Sequence, residues 1–289
     1  MTNLPTQRVS SIPAPESYTL PGRPDDASRH DAYRQTQFVL GGDLELFARG
    51  MNLQLALFRD CQPSKYRTHE LAAIAALWSR TYLMLQDALL LVSRGSYVSA
   101  VPVIKAATEL VAAQEGLRRG EMNEHHEWLA GALRPNETFK AFDFELGGYF
   151  AGGVLASDNV LGAVYRASAD LARPNFGASL LQVAPESNNQ RLAIAFADSA
   201  FHLGWAELHL GWLLALTARQ VRVIVDADTI FPVSDERRAE YADLQAAVDS
   251  ALTSTDRCRI EEVREGSDRR YLVHDFRRNS SGSPKKVLL

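Results

Sequence analysis

The chain has 289 residues, 46% of them hydrophobic and 23% charged, and carries a net charge of −4 at pH 7. That is the composition of a globular protein with a sizeable core, and it excludes the basic excess that a broad affinity for a phosphate backbone requires. Two cysteines far apart in sequence, Cys61 and Cys258, exclude a disulfide ladder or a cysteine zinc site and point to a reducing, cytoplasmic setting.

From Met1 to about Asp26 there is no basic-then-apolar signal pattern, and Pro5, Pro13, Pro15, Pro21 and Pro24 recur between Ser and Thr. Residues 1–40 therefore read as a largely disordered or extended leader. Over Asp43–Arg59, Leu44, Phe47, Met51, Leu55 and Phe58 recur at three- and four-residue steps, one apolar stripe of an amphipathic helix that Pro63 ends. Thr68 is suited to cap a second helix through Leu77, Trp78, Leu85, Leu89 and Val92, stopped at Gly95. Ser96–Arg119 is a third helix, with Pro102 in its first turns and Gly120 beyond it, so the two form an antiparallel helical hairpin with a very short turn. Asn123 caps a shorter helix to Leu133, ended by Arg134-Pro135. Phe139–Leu155 takes no assignment, because Gly147-Gly148 and Gly152-Gly153 argue against an unbroken helix.

Asp158 caps a helix over Asn159–Leu171, and Pro174 and Pro185 bracket an irregular segment. Ser187–Val221 reads as one long helix, apolar nearly all round from Ala193 to Leu216, and hence central. Ser234, followed by Asp235 and Glu236, starts a last helix to about Leu252. The period then changes: Arg259–Val263 and Arg270–Phe276, with a turn at Gly266, form a hairpin before a basic end at Lys285-Lys286. Neither apolar stretch is a clean membrane span. Leu71–Val92 carries Arg80 and Asp87, and Leu203–Leu216 is short and holds Glu207 and His209. The expected fold is an all-α bundle of about six or seven helices over 41–255, with a short C-terminal β-hairpin and basic tail over 256–289. There is no internal repeat, no GxxxxGK[ST] or GxGxxG loop and no GxSxG elbow, which disfavours nucleotide-hydrolase, dehydrogenase and α/β-hydrolase chemistry.

Within the hairpin, Trp78-Ser-Arg80, Asp87, the Gly95-Ser-Tyr97 turn and Ala100-Val-Pro-Val-Ile-Lys105-Ala-Ala-Thr-Glu109-Leu resemble HEPN-like helical domains of uncharacterised bacterial proteins. The resemblance covers about residues 71–114. Further on, Arg173-Pro174-Asn175 stands where such proteins often have His-Pro, with arginine replacing the histidine. The resemblance implies a homodimer with a ligand, RNA or protein partner. It also implies an alternative, because catalytic members are similar to metal-independent ribonucleases with an arginine and a histidine a few residues apart. Arg119 and His125, beside Arg118 and His126, would fill those roles in a defence or toxin system, arginine stabilising the phosphorane and histidine moving the proton.

Two further groups stand out. On a continuous helix Arg191, Asp198, His202, Trp205 and His209 fall on one stripe, and with Glu109 or Lys105 facing them they make a candidate ligand or metal site. In the tail, Arg269, Arg270, Arg277 and Arg278 with Tyr271 and Phe276 interleaved make a candidate nucleic-acid surface, set against the plainer reading of a contact to the acidic body. No cofactor is implied. The two functional readings are a non-catalytic HEPN-like binding protein and, as the alternative, an RNase-like enzyme.

Overall fold

The computed structural model describes residues 14–61, 69–119, 134–136, 138, 141–143, 150–227, 231–265 and 268–289. Among them the chain is mostly helical. The helices are α1 (Ala27–Val39), α2 (Gly41–Cys61), α3 (His69–Ser93), α4 (Tyr97–Arg118), α5 (Gly152–Ser157), α6 (Asn159–Ala172), α7 (Phe176–Val183), α8 (Leu203–Val225) and α9 (Asp235–Leu252). Two short strands, β1 (Arg134–Asn136) and β2 (Ala141–Asp143), pair antiparallel. At the C-terminal end β3 (Arg259–Glu265), β4 (Asp268–His274) and β5 (Val287–Leu288) form an antiparallel sheet in the order β3-β4-β5. The expected all-α bundle with a C-terminal hairpin is the observed fold.

Helix α8 is the axis of the bundle. It is buried along nearly its whole length and packed by α2, α3, α4 and α9. It is the one helix among the described residues long and apolar enough to cross a membrane, but 78% of its most apolar window is buried inside the protein, as befits a core helix. Apolar burial drives this packing, and polar bonds set its register. Gln114 of α4 and Gln220 of α8 exchange side-chain amide bonds of 3.0 and 2.8 Å, and Gln114 also donates to Thr81 of α3 at 3.0 Å. Trp78 donates to Gln54 of α2 at 2.8 Å. Where α2 crosses α8, a Cβ on Gly50 would collide with the Thr217 methyl, so the helices meet at backbone distance.

The hairpin of α3 and α4 forms as expected. Gly95 ends α3 with φ +71°, in the left-handed region that glycine adopts without cost. Asp158 and Ser234 cap α6 and α9 as their positions predict, Asp158 accepting from the backbone N–H groups of Val160 and Leu161 and Ser234 from that of Arg237. The helix expected at 123–133, with its Asn123 cap, lies outside the described residues, as do Pro63, Thr68 and Gly266.

Two expectations are corrected. The leader assigned to residues 1–40 gives way to α1 from Ala27. Ala32 and Thr36 are fully buried there, and upstream the backbone N–H of Tyr18 donates to Asn52 at 2.8 Å. The helix assigned to Ser187–Val221 starts only at Leu203. Local side-chain bonds divert the preceding backbone: Asn188 accepts from the N–H groups of Gln190 and Arg191, Ser187 from that of Ala193 and Asp198 from that of Ala200, while Ala197 sits at φ +54°. Such bonds offer the chain an alternative to the helical ladder, and apolar periodicity does not register them.

Candidate functional site

The Arg–His pair is only half visible. Arg119 is the C-cap of α4, while His125 and His126 lie outside the described residues. Arg118 donates to Glu115 through two nitrogens at 2.8 and 2.7 Å, and Arg119 donates to the same carboxylate at 2.7 Å. Burial by itself would raise the Glu115 carboxyl, but the bonds and charges of the two arginines outweigh it and hold the group below the usual carboxylate range. Both guanidinium groups are thus already committed to an anion of the protein's own.

The polar stripe divides in three. With α8 starting at Leu203, Arg191 and Asp198 leave it, and Asp198 accepts from Arg278 at 3.4 Å rather than meeting His202. Lys105 and Glu109 pair with each other at 2.9 Å on α4, and the Lys105 ammonium lies 5.4 Å from the centre of the Tyr165 ring on α6. His202 and His209 remain, both buried. His202 caps α8, its Nδ1 accepting from the Trp205 N–H at 3.3 Å, and its own backbone N–H donates to the Tyr97 hydroxyl at 3.3 Å. His209 Nδ1 donates to the Trp205 carbonyl at 2.6 Å, amid the rings of Tyr97, Trp205 and Trp212. Burial lowers both imidazoles to about 4, with the charges of Arg278 and Lys285 adding to the effect at His202. Their Nε2 atoms are buried and have no hydrogen-bond partner among the described residues. No three His, Cys, Asp or Glu side chains among the described residues come together in a way that could hold a metal ion.

The basic tail folds onto the body. Arg278 pairs with Glu186 and Asp198, Arg277 with Asp275, and Arg269 with Asp170 and Glu262. Arg270 lies on β4 beside them. These ion pairs match the reading of the tail as a contact to acidic residues.

What the sequence did not bring together is a cleft of about 620 Å³ between the α6–α7 connection and β4. Its walls include Arg173, Pro174, Asn175, Arg269 and Tyr271, with Asp170 at the junction. Asn175 caps α7 through the Ala178 N–H and donates to the carbonyls of Asp170 and Arg173, which fixes the loop. Tyr271 donates to Asp170 at 2.8 Å. Burial, followed by that bond, pushes its phenol up, so it remains a donor. Arg173 and Arg269 both reach Asp170, at 3.5 and 3.3 Å, with side chains 74% and 42% exposed. Two guanidinium groups thus share one carboxylate and keep solvent-facing N–H donors at the cleft. Each of these residues was legible as a type; their meeting, across 99 residues between Asp170 and Arg269, was not.

No family model, no curated protein and no solved structure matches the chain.

Proposed function

We propose that the chain is a non-catalytic, HEPN-like bacterial protein of the cytoplasm that binds a small anionic ligand in the cleft beside Arg173 and Arg269. The observation that carries this reading is the cleft itself, about 620 Å³ and within the range of small-molecule sites, with two partly exposed arginines sharing a single aspartate at its wall. The glycine turn at Gly95 and the Lys105–Glu109 pair support the HEPN-like hairpin. The capture of Arg118 and Arg119 by Glu115 supports the non-catalytic choice over the ribonuclease alternative. The buried free thiols of Cys61 and Cys258 suit a reducing compartment.

Calorimetric titration with inorganic phosphate and with nucleoside mono- and diphosphates tests the reading. A saturable complex is expected with at least one of them. Arg173→Ala should weaken it by roughly 10- to 100-fold, the worth of one charged hydrogen-bond partner, with the melting curve unchanged. Silence toward all of these anions, or equal binding by Arg173→Ala, would remove the cleft from consideration. RNA incubated in EDTA should survive. Cleavage by the wild type that His125→Ala abolishes would install the ribonuclease instead.

A further inference from the structure

The segment displaced from the expected long helix leaves an unusual surface. Exposure alternates from Leu192 to Phe196, as it does in an extended chain whose successive side chains point to opposite faces. Leu192, Ile194 and Phe196 are 59, 65 and 99% exposed, while Ala193 and Ala195 turn toward the body. The backbone is one-sided in the same way. The Ala193 N–H donates to the Ser187 hydroxyl at 3.0 Å and the Ala195 N–H to the Val183 carbonyl at 2.7 Å. The backbone groups of Leu192, Ile194 and Phe196 have no partner among the described residues. A row of three large apolar side chains therefore runs beside backbone groups that have no partner among the described residues, the arrangement that invites another strand.

We infer that this edge is a dimerisation surface, pairing antiparallel with the same segment of a second copy about a two-fold axis at Ile194. Three observations select a second copy as the occupant. The residues Leu-Ala-Ile-Ala-Phe alternate large and small symmetrically about Ile194, so only a register centred there places every large side chain opposite a large one. That register sets Leu192 against Phe196 of the second copy and Ile194 against itself. The backbone groups that face outward are those of the even-numbered residues, and these are the groups such a pairing bonds reciprocally, as an isologous interface demands. Finally, the segment carries opposite charges at its two ends. Arg191, whose side chain has no partner among the described residues, comes beside the Asp198 end of the second copy, where it would join the pair that Asp198 makes with Arg278. The turn at Asn188 and the left-handed Ala197 bound the pairing at both ends.

This gives the expected homodimer a surface. It does not rest on the anion cleft, since sedimentation reads one and calorimetry the other. A single strand pairing is small for a stable interface, so the dimer is expected with a dissociation constant in the micromolar range. In sedimentation velocity the wild type should pass from monomer to dimer as concentration rises to roughly 100 µM. Ile194→Arg, which sets two like charges against each other on the axis, should stay monomeric with an unchanged melting temperature, because Ile194 is mostly exposed in the single chain. Hydrogen-bonded antiparallel partners have Cα atoms about 5.5 Å apart, within disulfide reach. Ile194→Cys should therefore give an oxidised dimer on a non-reducing gel, and Leu83→Cys, at a position of α3 that is 54% exposed, should not. A wild type that stays monomeric, a dimer that survives Ile194→Arg, or equal cross-linking at positions 83 and 194 would overturn the inference.

Discussion

His202 and His209 show how a residue's type and its role separate once burial is known. Each has one ring nitrogen engaged by the Trp205 backbone and the other without a partner among the described residues, and burial disfavours the imidazolium form of both. Arg278 and Lys285 oppose protonation of His202, and Asp198 only partly offsets them. With folded values of about 4 against an ordinary 6.5, the unfolded chain binds protons between those limits that the folded chain refuses. Stability contributed by the neutral rings is therefore complete above pH 6.5 and is lost as pH falls toward 4, by on the order of 3 kcal/mol for each histidine. Urea midpoints measured from pH 8 to 4 should fall, and His209→Phe, which keeps a buried ring without a titrating nitrogen, should flatten about half of the histidine contribution. An identical acid slope in wild type and variant would show that His209 does not titrate on unfolding. The sequence displayed these two rings as a possible ligand site. It could not show that one caps a helix and the other bonds back to its own turn.

At the scale of elements, what was legible is what is local. The turn at Gly95, the Asp158 cap and the Ser234 cap each depend on a few neighbouring residues, and each forms where its residues place it. The segment before α8 departs from the helix its apolar composition predicts, because the bonds that unwind it are made by single side chains at Ser187, Asn188 and Asp198. Helix crossings were not legible at all, and Gly50 is the clearest case. A methyl group there meets the Thr217 Cγ2 of α8, so Gly50→Ala should destabilise by about 1–3 kcal/mol, the usual cost of overpacking, despite alanine's better helix propensity. Thr217→Ser removes the opposing methyl group. In a double-mutant cycle by urea denaturation, the pair should be more stable than the sum of the single changes predicts. Strict additivity would mean that the helices separate freely at this crossing.

At the scale of the whole molecule, the C-terminal sheet is part of the core that the helices build. The first free N–H groups of α8, on Leu203 and Gly204, donate to the carbonyls of Arg278 and Arg277, both at 2.9 Å. Gly204 permits this approach, since a Cβ there would lie 2.9 Å from the Phe276 ring and 3.1 Å from its Cα. Phe276, Val273 and Cys258 are buried in the same cluster as α8, and Arg257 makes a 2.7 Å ion pair with Asp43 at the start of α2. The change of period after Leu252 marked the hairpin correctly in sequence, but nothing in that pattern says that a tail will cap a central helix from the far end of the chain. Nor could it place Arg269 and Tyr271 beside Asp170 and Arg173, because that requires the sheet to have docked. Removal of residues 257–289 should therefore do more than delete a hairpin. It leaves the α8 N-terminus without its backbone acceptors and uncovers apolar surface on α6 and α8, which pack against β3. The truncated chain is expected to retain much of its far-ultraviolet helical signal, lose its near-ultraviolet signal, bind a hydrophobic dye and melt without a cooperative transition. Cooperative melting at the full-length temperature would instead make the helices an independent domain and the sheet an accessory to it.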